Sequence, residues 1–143
     1  MKKQYPYPIP VVRLIVPDDQ GRVLVLRRDR TGYAAGEWCL PGGKIDYGDT
    51  VEESARRELS EETGLTATEM KFLFYQDGLP LEVGEMHCIN FYLECRCQGY
   101  ITLNQESSEY ALMRSEDFAQ YPLAFRNDEG LLRYWREFTA DGE

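Results

Sequence analysis

The amino-acid sequence predicts one α+β domain, and three observations carry that expectation. Short β-branched and aromatic runs punctuated by Gly and Pro recur along the chain, two segments instead space their apolar residues as helices do, and no linker, repeat or low-complexity tract divides them. A chain of 143 residues has room for one core of ordinary size and none for a second complete domain. The unit is expected to cover residues 1–143, with its packed part from about residue 8 to about residue 139.

The elements follow in order. Ile9 to Val16 and Arg22 to Arg28 are β-branched and leucine-rich, and the turn formers Pro17-Asp18-Asp19-Gln20-Gly21 between them predict a hairpin. In Trp38-Cys39-Leu40-Pro41-Gly42-Gly43 the paired glycines allow a bend and a close approach to a ligand. Thr50 followed by Glu53 has the form of a capping box, and Gly64-Leu65 is a left-handed stop with a hydrophobic contact, so a helix is expected from about Val51 to Thr63. Lys71 to Gln76, Met86 to Cys97, Ile101 to Leu103 and Tyr110 to Arg114 read as strands broken by Gly78, Gly84 and Gly99. Ser115-Glu116-Asp117-Phe118 resembles a capped turn of helix. From Asp128 to Phe138, apolar Leu131, Leu132, Tyr134, Trp135 and Phe138 recur every three or four residues, as on an amphipathic helix covering a sheet.

Composition narrows the function. With 16 basic and 25 acidic residues the net charge is −9, which opposes binding to duplex nucleic acid, although bound divalent ions can reverse the sign locally for a small phosphorylated substrate. No apolar run approaches the roughly 18 residues a membrane span needs, and Met1 to Pro10 lacks a secretory h-region, so a soluble, cytoplasmic protein is expected. Cys39, Cys88, Cys95 and Cys97 form no C-x-x-C pair and read as reduced thiols packed as small hydrophobes. Nothing in the sequence marks an oligomer interface, and a homodimer stays open.

The acidic helix is the unusual element. At about 100° per residue from Val51, Ala55 and Leu59 point to about 40° and 80° and define the buried face. Glu58 at about −20° and Glu62 at about 20° then sit on its edge, with Glu61 flanking them at about −80°. Like charges four apart cost about 0.2–0.5 kcal/mol even when exposed, and poorly solvated carboxylates cost more, so a compensating cation is required. Arg57 can reach part of the cluster, and hard oxygen donors on one element suit Mg²⁺ or Mn²⁺. A solvated charged face is the plain alternative for three glutamates taken alone.

Taken together, Gly43 to Leu65 resembles the Nudix box of MutT-like hydrolases, G-x5-E-x7-R-E-U-x-E-E-x-G-U with U aliphatic. Gly43, Arg57, Glu58, Leu59, Glu61, Glu62, Gly64 and Leu65 match, Asp49 replaces one Glu, and Trp38, Pro41, Gly42 and Gly43 match the W-x-x-P-G-G that usually precedes the box. The resemblance implies a Nudix-type α/β/α sandwich with a mixed sheet and a loop-helix-loop catalytic motif. It implies metal-dependent hydrolysis of a pyrophosphate bond in a nucleoside diphosphate linked to another moiety: a nucleotide, a nucleotide sugar or an ADP-ribose-like compound. Glu61 and Glu62 are then metal ligands, Glu58 a ligand or the general base, Arg57 an orienting residue, and a carbonyl at Gly42 or Gly43 part of the coordination sphere. Glu58, Glu61 and Arg57 form the catalytic set and Asp49 a structural support. Asn104 to Tyr110 looks like a second family stretch and makes Glu106 a candidate further ligand. Arg27, Arg28, Trp38 and Tyr110 are candidates for binding the rest of the substrate. A catalytically silent Nudix-like sensing or protein-binding module is the alternative, disfavoured by the intact glutamates.

Overall fold

The computed structural model describes residues 7–29, 34–82 and 85–139, so Met1 to Pro6 and Gly84 lie outside the described residues. Its elements are β1 (Ile9–Ile15), β2 (Val23–Arg28), β3 (Trp38–Cys39), β4 (Gly42–Lys44), α1 (Val51–Thr63), β5 (Thr66–Gly78), β6 (Cys88–Gln98), β7 (Ser107–Met113), a 3-10 turn (Ser115–Asp117) and α2 (Asn127–Glu137). One sheet has the order β4-β1-β6-β5 and the other β3-β2-β7. The first is mixed, because β1 runs parallel to β6 while β4 and β5 pair antiparallel at its edges. Among the described residues no helix is long and apolar enough to cross a membrane.

The expected hairpin of the first two strands does not form. The turn itself is as expected, with the Asp18 carboxylate accepting from the backbone N–H groups of Gln20 and Arg22 at 2.9 and 2.8 Å. Both edges of β1 are taken by β4 and β6, so β2 leaves for the second sheet, and backbone pairing with the chain leaving β1 is confined to the turn, in a Pro17–Val23 bridge and the Leu24 to Val16 and Asp18 to Arg22 hydrogen bonds. Ile101 to Leu103 is likewise not a strand; the Thr102 N–H donates to the Thr63 carbonyl at 2.7 Å and helps close the end of α1. Two short strands, β3 and β4, occupy the segment read only as a bend.

Strand alternation separates two cores. Val12, Leu14 and Val16 pack with Leu24 and Leu26 of β2 against Ala55 and Leu59 of α1. Ile15 points the other way, with Val23 and Val25 of β2, toward Leu131, Tyr134 and Trp135 of α2. The sheet strands thus lie between two helices, as the sandwich expectation requires. The aromatic stripe of α2 is a packing face, and the Tyr134 hydroxyl donates to Glu94 at 2.6 Å. All four cysteines are free thiols.

One contact in this layer is tight enough to test. A Cβ built on Gly130 of α2 would lie 2.3 Å from both Cζ and the hydroxyl oxygen of Tyr92. Tyr92 is fully buried and its hydroxyl donates to Gln76 at 3.0 Å, so it has nowhere to retreat. Gly130→Ala is therefore expected to destabilise by about 1–3 kcal/mol net of the helix propensity that alanine gains. Urea unfolding with an unchanged slope checks this, and equal or greater stability would refute the packing.

Candidate active site

Helix α1 is fixed at both ends by local chemistry. The Thr50 hydroxyl accepts from Glu53 N–H at 3.0 Å and the Glu53 carboxylate from Thr50 N–H at 3.3 Å, completing the capping box. Gly64 takes φ 74°, a left-handed conformation that favours glycine. With Ala55 and Leu59 fully buried, the helix cannot rotate, and its next positions are committed: Glu58 and Glu62 are half-buried and Glu61 is exposed.

The two half-buried carboxylates meet the glycine segment. Glu62 accepts from the Gly42 N–H at 2.8 Å, and no basic side chain among the described residues pairs with it. Burial pushes the Glu62 carboxyl up to about 8, only partly opposed by the Gly42 N–H and, last, by the charge of Arg13, and reinforced by the charges of Glu58 and Glu106. Glu58 lies against Gly43, where an added Cβ would fall 2.7 Å from its carboxyl carbon. Burial first, then the charge of Glu61, raises the Glu58 carboxyl, with Arg57 acting in the opposite direction. The backbone can come this close only because residue 43 has no side chain.

Arg57 ties the helix to the preceding loop. Its guanidinium donates to Asp49 at 2.6 Å and lies 3.1 Å from Asp46, 3.5 Å from Glu58 and 3.9 Å from Glu61. The shorter side chain of Asp49 still reaches Arg57 directly, and that bond is the main reason the guanidinium is held above its ordinary value. Four acids share this one cation and Glu62 is left without it.

A cleft of about 610 Å³ opens over these groups. Glu58, Glu62, Gly42, Gly43 and Glu106 border it, as does Arg28. Three expected substrate contacts fall elsewhere: Arg27, Trp38 and Tyr110 do not line this cleft. Arg27 turns outward to the Gly36 carbonyl and Glu109, at 3.1 and 3.5 Å. Trp38 is a core residue, 8% exposed and packed edge-on against Tyr121 at 4.9 Å. Tyr110 is half-exposed on β7, opposite Leu26. Conversely, the sequence reading missed Arg13 and Phe125, which border the cleft. A lone charge inside the apolar run Val11-Val12-Arg13-Leu14-Ile15 was the signal that could have marked Arg13.

The donor set suits a hard divalent cation. Among the described residues no three His, Cys, Asp or Glu side chains converge into a closed cage. A closed cage is not what Mg²⁺ needs, since it keeps several waters and takes one or two carboxylates together with substrate phosphates. A half-buried Glu62 in no ion pair among the described residues, beside Glu58 and a glycine backbone, meets that requirement.

Comparison with known proteins agrees with this geometry. The nucleoside triphosphatase NudI of Escherichia fergusonii is 27% identical over 125 residues, covering 79% of this chain and 86% of that protein. The MutT protein from Methanosarcina mazei Go1 superposes with a TM-score of 0.80 at 26% identity, over 94% of this chain and 98% of that one. The NUDIX domain of Shewanella oneidensis NrtR, solved with ADP ribose, shares the fold with a TM-score of 0.73 at 21% identity, over 94% of this chain and 91% of its own. The NUDIX domain family model matches residues 8–134, and the chain belongs to the Nudix family of pyrophosphohydrolases.

Proposed function

We propose that the protein is a metal-dependent hydrolase of the pyrophosphate bond in a nucleoside diphosphate linked to another moiety, with a nucleotide, nucleotide sugar or ADP-ribose-like compound as substrate. The observation that carries this is Glu62: a half-buried carboxylate at the cleft, held by the Gly42 N–H and, among the described residues, in no ion pair with a basic side chain. Glu61 and Glu62, with Glu58, would hold Mg²⁺ or Mn²⁺; the Gly43 carbonyl and Glu106 are the further candidate donors. Bound there, divalent ions would neutralise phosphate oxygens and acidify a water.

The chain's own residues do the rest. Arg57 keeps Glu58 and Glu61 in place through its bonds to the Asp46–Asp49 loop. Glu58 or Glu61 takes the proton of the attacking water, which displaces one phosphoryl oxygen in line and leaves a nucleoside monophosphate and a phosphoryl-X product. The glycine at position 43 lets the Glu58 carboxyl lie directly against the loop backbone at the cleft. The likeness to a named nucleoside triphosphatase supports a nucleotide substrate.

A phosphate-release panel tests the reading: dNTPs, ADP-ribose, nucleotide sugars and dinucleoside polyphosphates, each with Mg²⁺, Mn²⁺ or chelator. Turnover of at least one compound, abolished by chelation, is expected. Binding without turnover under every metal would replace hydrolysis with nucleotide sensing.

A further inference from the structure

Arg13 stands apart from every group used so far. It is 8% exposed on β1, yet borders the cleft. Its Nε donates to the Asn90 side-chain Oδ1 at 3.1 Å, and its guanidinium carbon lies 4.7 Å from the centre of the Phe125 ring. No carboxylate among the described residues forms an ion pair with it. Burial lowers its affinity for the proton from the ordinary arginine value, opposed by the electrostatic influence of Tyr92, Cys88 and Cys39 and, more weakly, of the Glu62 carboxylate. A buried guanidinium with one bonded edge and one aromatic face has its remaining donors unspent, and leaving such a charge unpaired is costly.

Position says which part of a substrate could use those donors. By alternation Arg13 shares its face of β1 with Ile15, which packs toward α2, whereas Val12 and Leu14 pack against Ala55 and Leu59 of α1. Phe125, just before α2, carries both Arg13 and Arg28, the latter at 5.1 Å from its ring centre. Leu26, Leu40, Cys39 and Met86 complete an apolar surround on the same cleft. The scissile bond belongs with the glutamates, and the pocket around Arg13 is left for the group attached to it.

We propose that Arg13, stacked on Phe125, is a specificity-determining residue that donates two hydrogen bonds to a paired-acceptor edge on the part of the substrate beyond the scissile phosphates. Guanidinium geometry matches two acceptors in one plane, and the two sources of that chemistry are the O6/N7 edge of a 6-oxopurine and the oxygens of a terminal phosphate. The inference rests on the hydrolase reading above.

The test compares kcat and KM of wild type, Arg13→Met, Arg13→Lys and Phe125→Leu on the four dNTPs and ADP-ribose with Mg²⁺. Wild-type turnover of any of them establishes the hydrolase reading separately. Arg13→Met should then raise KM at least about tenfold for the preferred substrates and much less for the others, the scale of one lost bidentate pair, with saturating kcat within about threefold. Arg13→Lys should recover only part of the loss because an ammonium has no planar fork. A penalty confined to dGTP assigns the base edge; one shared by all four dNTPs but not ADP-ribose assigns the terminal phosphate. Phe125→Leu keeps the buried charge and should reproduce the same selectivity pattern in weaker form, which covers a failure of the arginine variants to fold. A uniform change across all substrates, or a loss in kcat with KM unchanged, overturns the proposal.

Discussion

Glu62→Gln is expected to lower kcat at least about a hundredfold while leaving the protein folded, the scale on which loss of one preorganised electrostatic group is felt. The amide keeps the size of the side chain and can still accept from the Gly42 N–H, so the change removes charge more than structure. Circular dichroism and steady-state kinetics check both halves, and near-wild-type turnover would sink the metal-ligand assignment.

The same substitution has a pH signature in metal-free protein. Burial raises the folded Glu62 carboxyl to about 8 from an ordinary 4.5, so the folded state retains a proton that the unfolded chain releases between those values. Its contribution to stability is fully present below pH 4.5 and is lost as pH rises through about 8. Metal-free wild type should therefore lose melting temperature between pH 5 and 8 more steeply than Glu62→Gln, and Mg²⁺ should restore stability to wild type at the upper end. Parallel melting curves for the two proteins would contradict a buried carboxyl at this position.

Gly42→Ala is expected to damage fold and site together. A Cβ on residue 42 would fall 2.0 Å from the Val12 carbonyl oxygen, a backbone atom of the paired strand, and Gly42 also has φ 157°. Neither β1 nor β4 can yield without losing ladder pairing at Arg13 and Val12. A cost of at least about 2–3 kcal/mol follows from overpacking, and any displacement also shifts the N–H that holds Glu62. Chemical denaturation and kcat should both report the loss; a stable, active variant would mean that the strand pair is more pliant than its geometry indicates.

Helix α1 was legible in the sequence to the residue because its signals are local: the Thr50 and Glu53 pair, the Gly64 stop, and glutamates at fixed angles to Ala55 and Leu59. The pairing of β1 was not legible. Its partners come from residue 42 onward and residue 88 onward, and turn chemistry at Asp18 says nothing about whether such distant strands will claim both edges first. That Trp38 and Tyr110 lie outside the cleft was not legible for a related reason. An aromatic side chain serves a core and a base equally well, and only the tertiary fold shows that Trp38 was used by the Tyr121 and α2 layer. Arg28 was readable as a cation near a strand end, while its place over Phe125 depends on a loop ending in two left-handed residues, Phe125 and Arg126.

The alternation of β1 has a consequence for how such a protein could diverge. Val12 and Leu14 are bound to the helix that carries the glutamates, and Val11 and Arg13, one position away on the same strand, look into the cleft. Exchanging a residue of the second pair leaves the first in register, so the side of the strand that faces the cleft can change without repacking the side held against α1. The strand works as a partition wall with separately replaceable sides.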